Sequence, residues 1–149
     1  MDLIQKEEPQ NITVQNICMA AQVNRTTFYA HYTDVCDLTE KCEIGLRASL
    51  KGSSDPNYAL QFLRLMQENK DFYRLYFGYH KTCPAQNGPS QVWLQTTGTD
   101  APSSPDRYRL VFYQAGIDAL LAQWVEQGCM DPPEKIQELL VQRLPDKIF

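Results

Sequence analysis

The sequence predicts an all-α fold. Apolar residues recur every three or four positions in nearly every recognisable segment. Capping residues, Gly and Pro punctuate those segments where helices should start and stop. No Gly-rich phosphate loop, internal repeat or coiled-coil heptad run breaks the pattern.

Taken in order, Asp2 to Glu8 reads as a short helical piece ended by Pro9. Thr13 is placed to cap a helix that carries Val14, Ile17, Cys18 and Ala21 on one side. A turn at Gln22-Val23-Asn24 follows, with Val23 as an apolar plug and Asn24 able to cap a second short helix through Tyr32. Thr33 is expected to cap a longer third helix, whose apolar positions are Val35, Leu38, Cys42 and Leu46. Its early acids, Asp34, Asp37 and Glu40, sit where the helix dipole favours them.

Lys51 to Pro56 reads as a linker, and Asp55-Pro56 opens a helix burying Leu60, Phe62, Leu63 and Met66. The segment from Phe72 to Tyr79 is dense in aromatic residues. From His80 to Pro105 the period fades among Pro84, Gly88, Pro89, Gly98 and Pro102, with a short helix expected near 91–95. Ser104-Pro105 then opens a long helix running to Gly128, a suitable C′ residue. One stripe of that helix holds Leu110, Tyr113, Ile117, Leu120, Leu121 and Trp124; a second holds Phe112, Ala115, Gly116 and Ala119. Asp131-Pro132-Pro133-Glu134 reads as a capping box for a last helix with Ile136, Leu139, Leu140 and Leu144, stopped by Pro145. The expected organisation is a three-helix, helix-turn-helix unit over residues 1–50 and a second helical bundle over 51–149.

Composition narrows the function. With 43% hydrophobic and 21% charged residues, the 149-residue chain falls with folded proteins rather than disordered ones. Its 14 Lys+Arg against 18 Asp+Glu leave a net charge of −4, which excludes a protein that grips nucleic acid or membrane by bulk positive charge. A local groove-reading site is not excluded. No secretory signal pattern opens the sequence and no apolar run is long enough to span a bilayer, so a cytoplasmic location without membrane association is expected. Cys18, Cys36, Cys42, Cys83 and Cys129 then read as reduced thiols, mostly buried. His80 with Cys83, and Cys36 with Cys42, lack zinc-site spacing, so neither metal nor cofactor is expected. No Ser or Cys has an identifiable base partner, which argues against an enzyme.

Residues 12 to 38 carry the function. Their short helix, three-residue turn and second short helix follow helix-turn-helix spacing. The second helix would point Arg25, Thr26, Thr27, Tyr29 and His31 outward and turn Phe28 and Tyr32, four apart, inward. Such a polar face suits a DNA major groove: hydroxyls reach phosphates or bases, Arg25 can address guanine, and Thr methyls can meet thymine. An ordinary three-helix packing unit with a polar outside gives the same spacing.

Ile12-Thr13-Val14, Ile17, Ala21, Val23, then Thr27-Phe28-Tyr29, His31-Tyr32 and Asp37-Leu38 resemble the DNA-binding domain of TetR-type transcriptional regulators. The second half, with Phe112-Tyr113, Ala115-Gly116-Ile117, Trp124, Gly128 and Asp131 to Leu140, resembles a regulatory domain of TetR-like proteins of Firmicutes. The resemblance implies a homodimer on a palindromic double-stranded DNA operator. Thr13 would be a helix-start hydroxyl able to touch phosphate. Asn24, Arg25, Thr26 and Thr27 would open the recognition helix, and Tyr29 and His31 would contact the backbone. The last two helices would build the dimer interface. The two apolar sides of the penultimate helix agree with that; the interface would take Phe112, Ala115, Gly116 and Ala119 from it and Leu139 and Leu140 from the last helix.

The family's pattern has a basic arm and a full first helix ahead of Ile12, so the resemblance implies a beginning upstream of Met1 or a member without the arm. Between Pro9 and Thr33 the one ionised side chain is Arg25, and acids open the next helix where the family places a phosphate-binding Lys. Fewer phosphate contacts mean lower affinity and a shallower salt dependence. A TetR-like co-regulator with weak or lost DNA binding therefore stands as the alternative. Tyr73, Tyr76, Phe77, Trp93 and Tyr113 form a candidate pocket for a small-molecule inducer, with core packing as the competing reading; a protein partner is the other expected effector.

Overall fold

A computed structural model describes residues 11–50, 55, 57–80, 89 and 104–143. Among the described residues the chain forms seven α-helices and no strand. They are α1 (Val14–Ala21), α2 (Arg25–His31), α3 (Val35–Arg47), α4 (Tyr58–Glu68), α5 (Lys70–His80), α6 (Ser104–Glu126) and α7 (Pro133–Arg143). None is long and apolar enough to cross a membrane. The expected helices at 2–8 and 91–95, the linker at 51–54, Cys83 and Leu144 lie outside the described residues.

Local capping chemistry sets most boundaries. Thr13 opens α1 through a capping box: its Oγ1 accepts the Asn16 amide at 3.3 Å while Asn16 Oδ1 accepts the Thr13 amide at 3.2 Å. α1 ends in left-handed Gln22 (φ 56°). α3 is capped by Asp34 rather than Thr33. The Asp34 carboxylate accepts the Asp37 amide at 2.8 Å, and Asp37 reaches back to the Thr33 amide at 2.9 Å. That amide, together with the Lys41 ammonium, holds the Asp37 carboxyl below its ordinary range.

Asp55 organises the start of α4, accepting the Asn57 amide at 2.8 Å and the Gln61 side chain at 2.9 Å. α4 and α5 meet at Asn69, whose amide and side chain both donate to the Leu65 carbonyl. α6 ends in a Schellman turn. The Gly128 amide (φ +74°) bonds the Val125 carbonyl and the Cys129 amide bonds that of Trp124, each at 2.9 Å. The expected capping box at α7 is replaced by two ion pairs. Asp131 holds Lys135 at 2.6 Å, and Glu134 turns to Arg64 of α4 at 2.8 Å.

α4–α7 share one hydrophobic core. Phe62, Leu63 and Met66 of α4 meet Tyr73 and Tyr76 of α5, Ile117, Leu121 and Trp124 of α6, and Ile136 and Leu140 of α7. The Trp124 indole also donates to the Asp131 carbonyl at 2.9 Å, fixing the α6–α7 corner. The N-terminal helices bury a smaller set, Ile12, Cys18, Phe28 and Val35. α1 packs on α2, and α3 packs on α4 and α5. Val23 does not plug the turn; it is 40% exposed. The buried face of α3 also differs from the expected Val35, Leu38, Cys42 and Leu46: the structure buries Val35, Thr39 and Glu43, at i, i+4 and i+8. Cys18 and Cys129 are buried, Cys36 is half-buried and Cys42 exposed, all as free thiols.

Phe62→Ala should cost about 3–5 kcal/mol, because its ring is wholly buried between α4 and α5. Thr13→Ala should cost about 1 kcal/mol through loss of the cap. Urea unfolding of the two variants measures both.

Candidate nucleic-acid interface

α2 presents the polar face expected of it, and one residue fixes its angle. Phe28 is buried against the rings of Tyr29 and Tyr32, each with its centroid at 5.4 Å. With Phe28 turned inward, helical geometry sends Arg25, Thr26, Thr27, Tyr29 and His31 outward, and all five are exposed. Tyr29 is 58% exposed on its outer side.

Both ends of α2 are held. At its start, Asn24 Oδ1 accepts the Thr27 amide at 2.7 Å and the Thr27 hydroxyl at 2.9 Å. Asn24 and Thr27 thus serve the cap first. At its end, the Lys41 ammonium of α3 takes the His31 carbonyl at 2.9 Å, placing positive charge at the helix C-terminus. Lys41 also pairs with Asp37 at 3.1 Å and stands 5.3 Å above the Tyr32 ring. Arg25 reaches across to α1, donating to Gln15 Oε1 at 2.8 Å. That bond ties the two helices together. Thr13, beside them at the head of α1, is exposed, and its hydroxyl also donates to Asn16 Oδ1.

The arrangement offers a rigid two-helix surface of hydroxyl, phenol, imidazole and one guanidinium. All seven predicted residues (Thr13, Asn24, Arg25, Thr26, Thr27, Tyr29, His31) are exposed on α1, α2 or their caps. Its chemistry is hydrogen bonding with little net charge, because the nearby Lys41 is matched by Asp37.

A concavity of about 740 Å³ lies between α5 and α6. Tyr76 and Phe77 line it, but Tyr73 does not: it is wholly buried, packed edge-on to Phe62. Tyr113 is absent from the lining as well, since it lies about 200° around α6 from Ala115. Trp93 lies outside the described residues. Arg74, His80, Gln114 and Asp118 supply polar groups, and Ala115 and Ala119 form part of the wall. Sequence periodicity missed those because alanine on an amphipathic helix carries no ligand signature.

Of the predicted interface residues, Phe112 is 74% exposed, and Ala115, Gly116, Ala119 and Leu139 are exposed. Leu140 is corrected: it is 3% exposed and belongs to the chain's own core, because it shares a face with Ile136 one turn earlier. Tyr108, Val111 and Val141 are exposed apolar residues that the sequence reading passed over. Among the described residues no group of three His, Cys, Asp or Glu is placed to hold a metal ion.

The sequence matches no known family model, and no curated protein matches it significantly.

Asn24→Ala should destabilise the fold by about 1 kcal/mol, while Asn24→Asp should retain the cap. Thermal unfolding followed by circular dichroism separates the two outcomes.

Proposed function

We propose that this chain is a DNA-binding transcriptional regulator of the TetR type, a cytoplasmic homodimer that reads a palindromic operator with one α2 helix per subunit. The observation that carries this reading is the division of labour in Thr27-Phe28-Tyr29-Ala30-His31-Tyr32. Phe28 is buried as the anchor, and the polar residues around it stand exposed on a helix braced at both ends. Major-groove readers need that combination: fixed orientation, then hydrogen-bonding side chains at base and phosphate edges. The exposed apolar residues of α6, Phe112 with Val111, support self-association, because a lone chain gains nothing by leaving them in water. The concavity between α5 and α6 supports an effector site for a small molecule.

A co-regulator with weak DNA binding is the second reading, favoured by the way Arg25 and Lys41 are already engaged with Gln15 and Asp37. Binding of the chain to the DNA upstream of its own gene, titrated with salt, distinguishes the two. A regulator gives specific binding that weakens with a slope of about −0.9 per phosphate contacted. Arg25→Ala and Tyr29→Ala should each cost about 1–3 kcal/mol of that affinity. Equal affinity for specific and scrambled DNA at every salt concentration would leave the co-regulator. For the dimer, size-exclusion mass should fall to the monomer in Phe112→Arg; a monomer in both proteins refutes the interface.

A further inference from the structure

Glu43 of α3 is a wholly buried acid. Its carboxylate lies 3.2 Å from the Arg47 guanidinium one turn on, and the Arg47 side chain is itself only 16% exposed. Neither Glu43 oxygen makes a hydrogen bond, and neither do the buried hydroxyls of Tyr73 and Tyr76 on α5. Four polar atoms gathered without hydrogen bonds at one helix contact are costly, and native folds keep such clusters few.

The groups around Glu43 come from every neighbouring helix. α3 supplies Arg47, which favours the ionised form, and Glu40, which opposes it. From α5 come the two phenols, along with His80, whose Nε2 stands 3.4 Å from the Thr39 hydroxyl one turn before Glu43. α4 contributes Tyr58 and α6 contributes Asp118, close enough to act on Tyr73 and Tyr76 respectively.

We infer that Glu43 is a proton-operated latch between α3 and α5: protonated, it closes the contact against the two phenols; ionised, it loosens it. The protonated acid is neutral and gains an O–H that a phenol oxygen can accept. An ionised carboxylate in the same place is a buried charge set against Arg47, and parting α3 from α5 is the direct way to let water reach it. Burial pushes the Glu43 carboxyl up from 4.5 to about 7, so the latch works near neutrality. α3 carries α2 with it, through Lys41 on the His31 carbonyl and Asp37 on the Thr33 amide. A proton at Glu43 thus bears on how firmly the α2 face is held.

The sign follows from linkage. The folded chain holds this proton more tightly than the unfolded one, so the contribution to stability falls as pH rises from about 4.5 to about 7, then levels off. Hydrogen exchange of the α3 amides, corrected for intrinsic rate, should show protection across residues 39–47 dropping as pH rises from 5 to 7, and levelling above, in the wild-type chain. In Glu43→Gln the profile should be flat. The Glu43 carboxyl carbon, followed by NMR, should titrate near pH 7. A carboxyl titrating near 4.5, or α3 protection that does not change with pH in the wild-type chain, overturns the latch; the wild-type measurements decide even if the Gln variant does not fold. The effect on DNA affinity rests on the function proposed above, and should appear as tighter operator binding at pH 6 than at pH 8, absent in Glu43→Gln. A chain that binds no DNA but shows the exchange and NMR responses retains the latch and loses only the regulator.

Discussion

The contact of α3 with α5 is the constraint on which the rest of the molecule depends. α1 and α2 bury only a handful of side chains of their own, too few to stand alone. α5 supplies the missing support along its length. Tyr73 and Tyr76 lie close enough to the buried acid of α3 to feel its charge, His80 stands against Thr39, and the Tyr79 hydroxyl donates to the Ile12 carbonyl ahead of α1. Further around, Phe77 and the same two tyrosines enter the core shared with α4 and α6. One helix thereby serves two packing layers, which accounts for its density of aromatic residues: large rings reach both sides.

What was legible in the sequence follows the range of the interaction responsible. The caps of α1 and α2 are three-residue effects, and Thr13 and Asn24 declare them directly. The Gly128 turn is equally local. The buried face of α3 was not legible, because its partner lies some thirty residues away. An amphipathic reading selects the apolar Leu38, Cys42 and Leu46, whereas the tertiary contact selects Thr39 and Glu43. The Arg four residues after Glu43 was the available signal, and it reads equally well as a surface pair. Leu139 and Leu140 illustrate the same limit: adjacent leucines on a short helix cannot both face the core, and only packing decides which does. The exposure of the α2 residues and the Asn24 cap could be read off; the engagement of Arg25 with Gln15 and of His31 with Lys41 could not.

α6 divides its circumference among three tasks. Ile117, Leu121 and Trp124 point into the core, while Phe112 and Gly116 face outward. Between those faces Ala115, Asp118, Ala119 and Ala122 border the space beside α5. Three of those four are alanines, whose small side chains leave room that leucines would fill. Arg74, Asp118 and Glu126 bring charge to the wall, and His80, Gln114 and Gln123 add hydrogen-bonding groups among its apolar residues.

The separation between the anchor and the outer face of α2 also bears on how this protein can change. Phe28 carries the packing of that helix, while Thr26 and Tyr29 are exposed beside it. Substitutions at the outer positions alter what the surface recognises with little effect on folding. Tyr73 and Tyr76 of α5 answer to two neighbouring layers, so a change there must satisfy both. A lineage descended from this sequence would therefore be free to drift in recognition while remaining bound to its scaffold. New specificities would accumulate on α2 long before the aromatic pattern of α5 gave way.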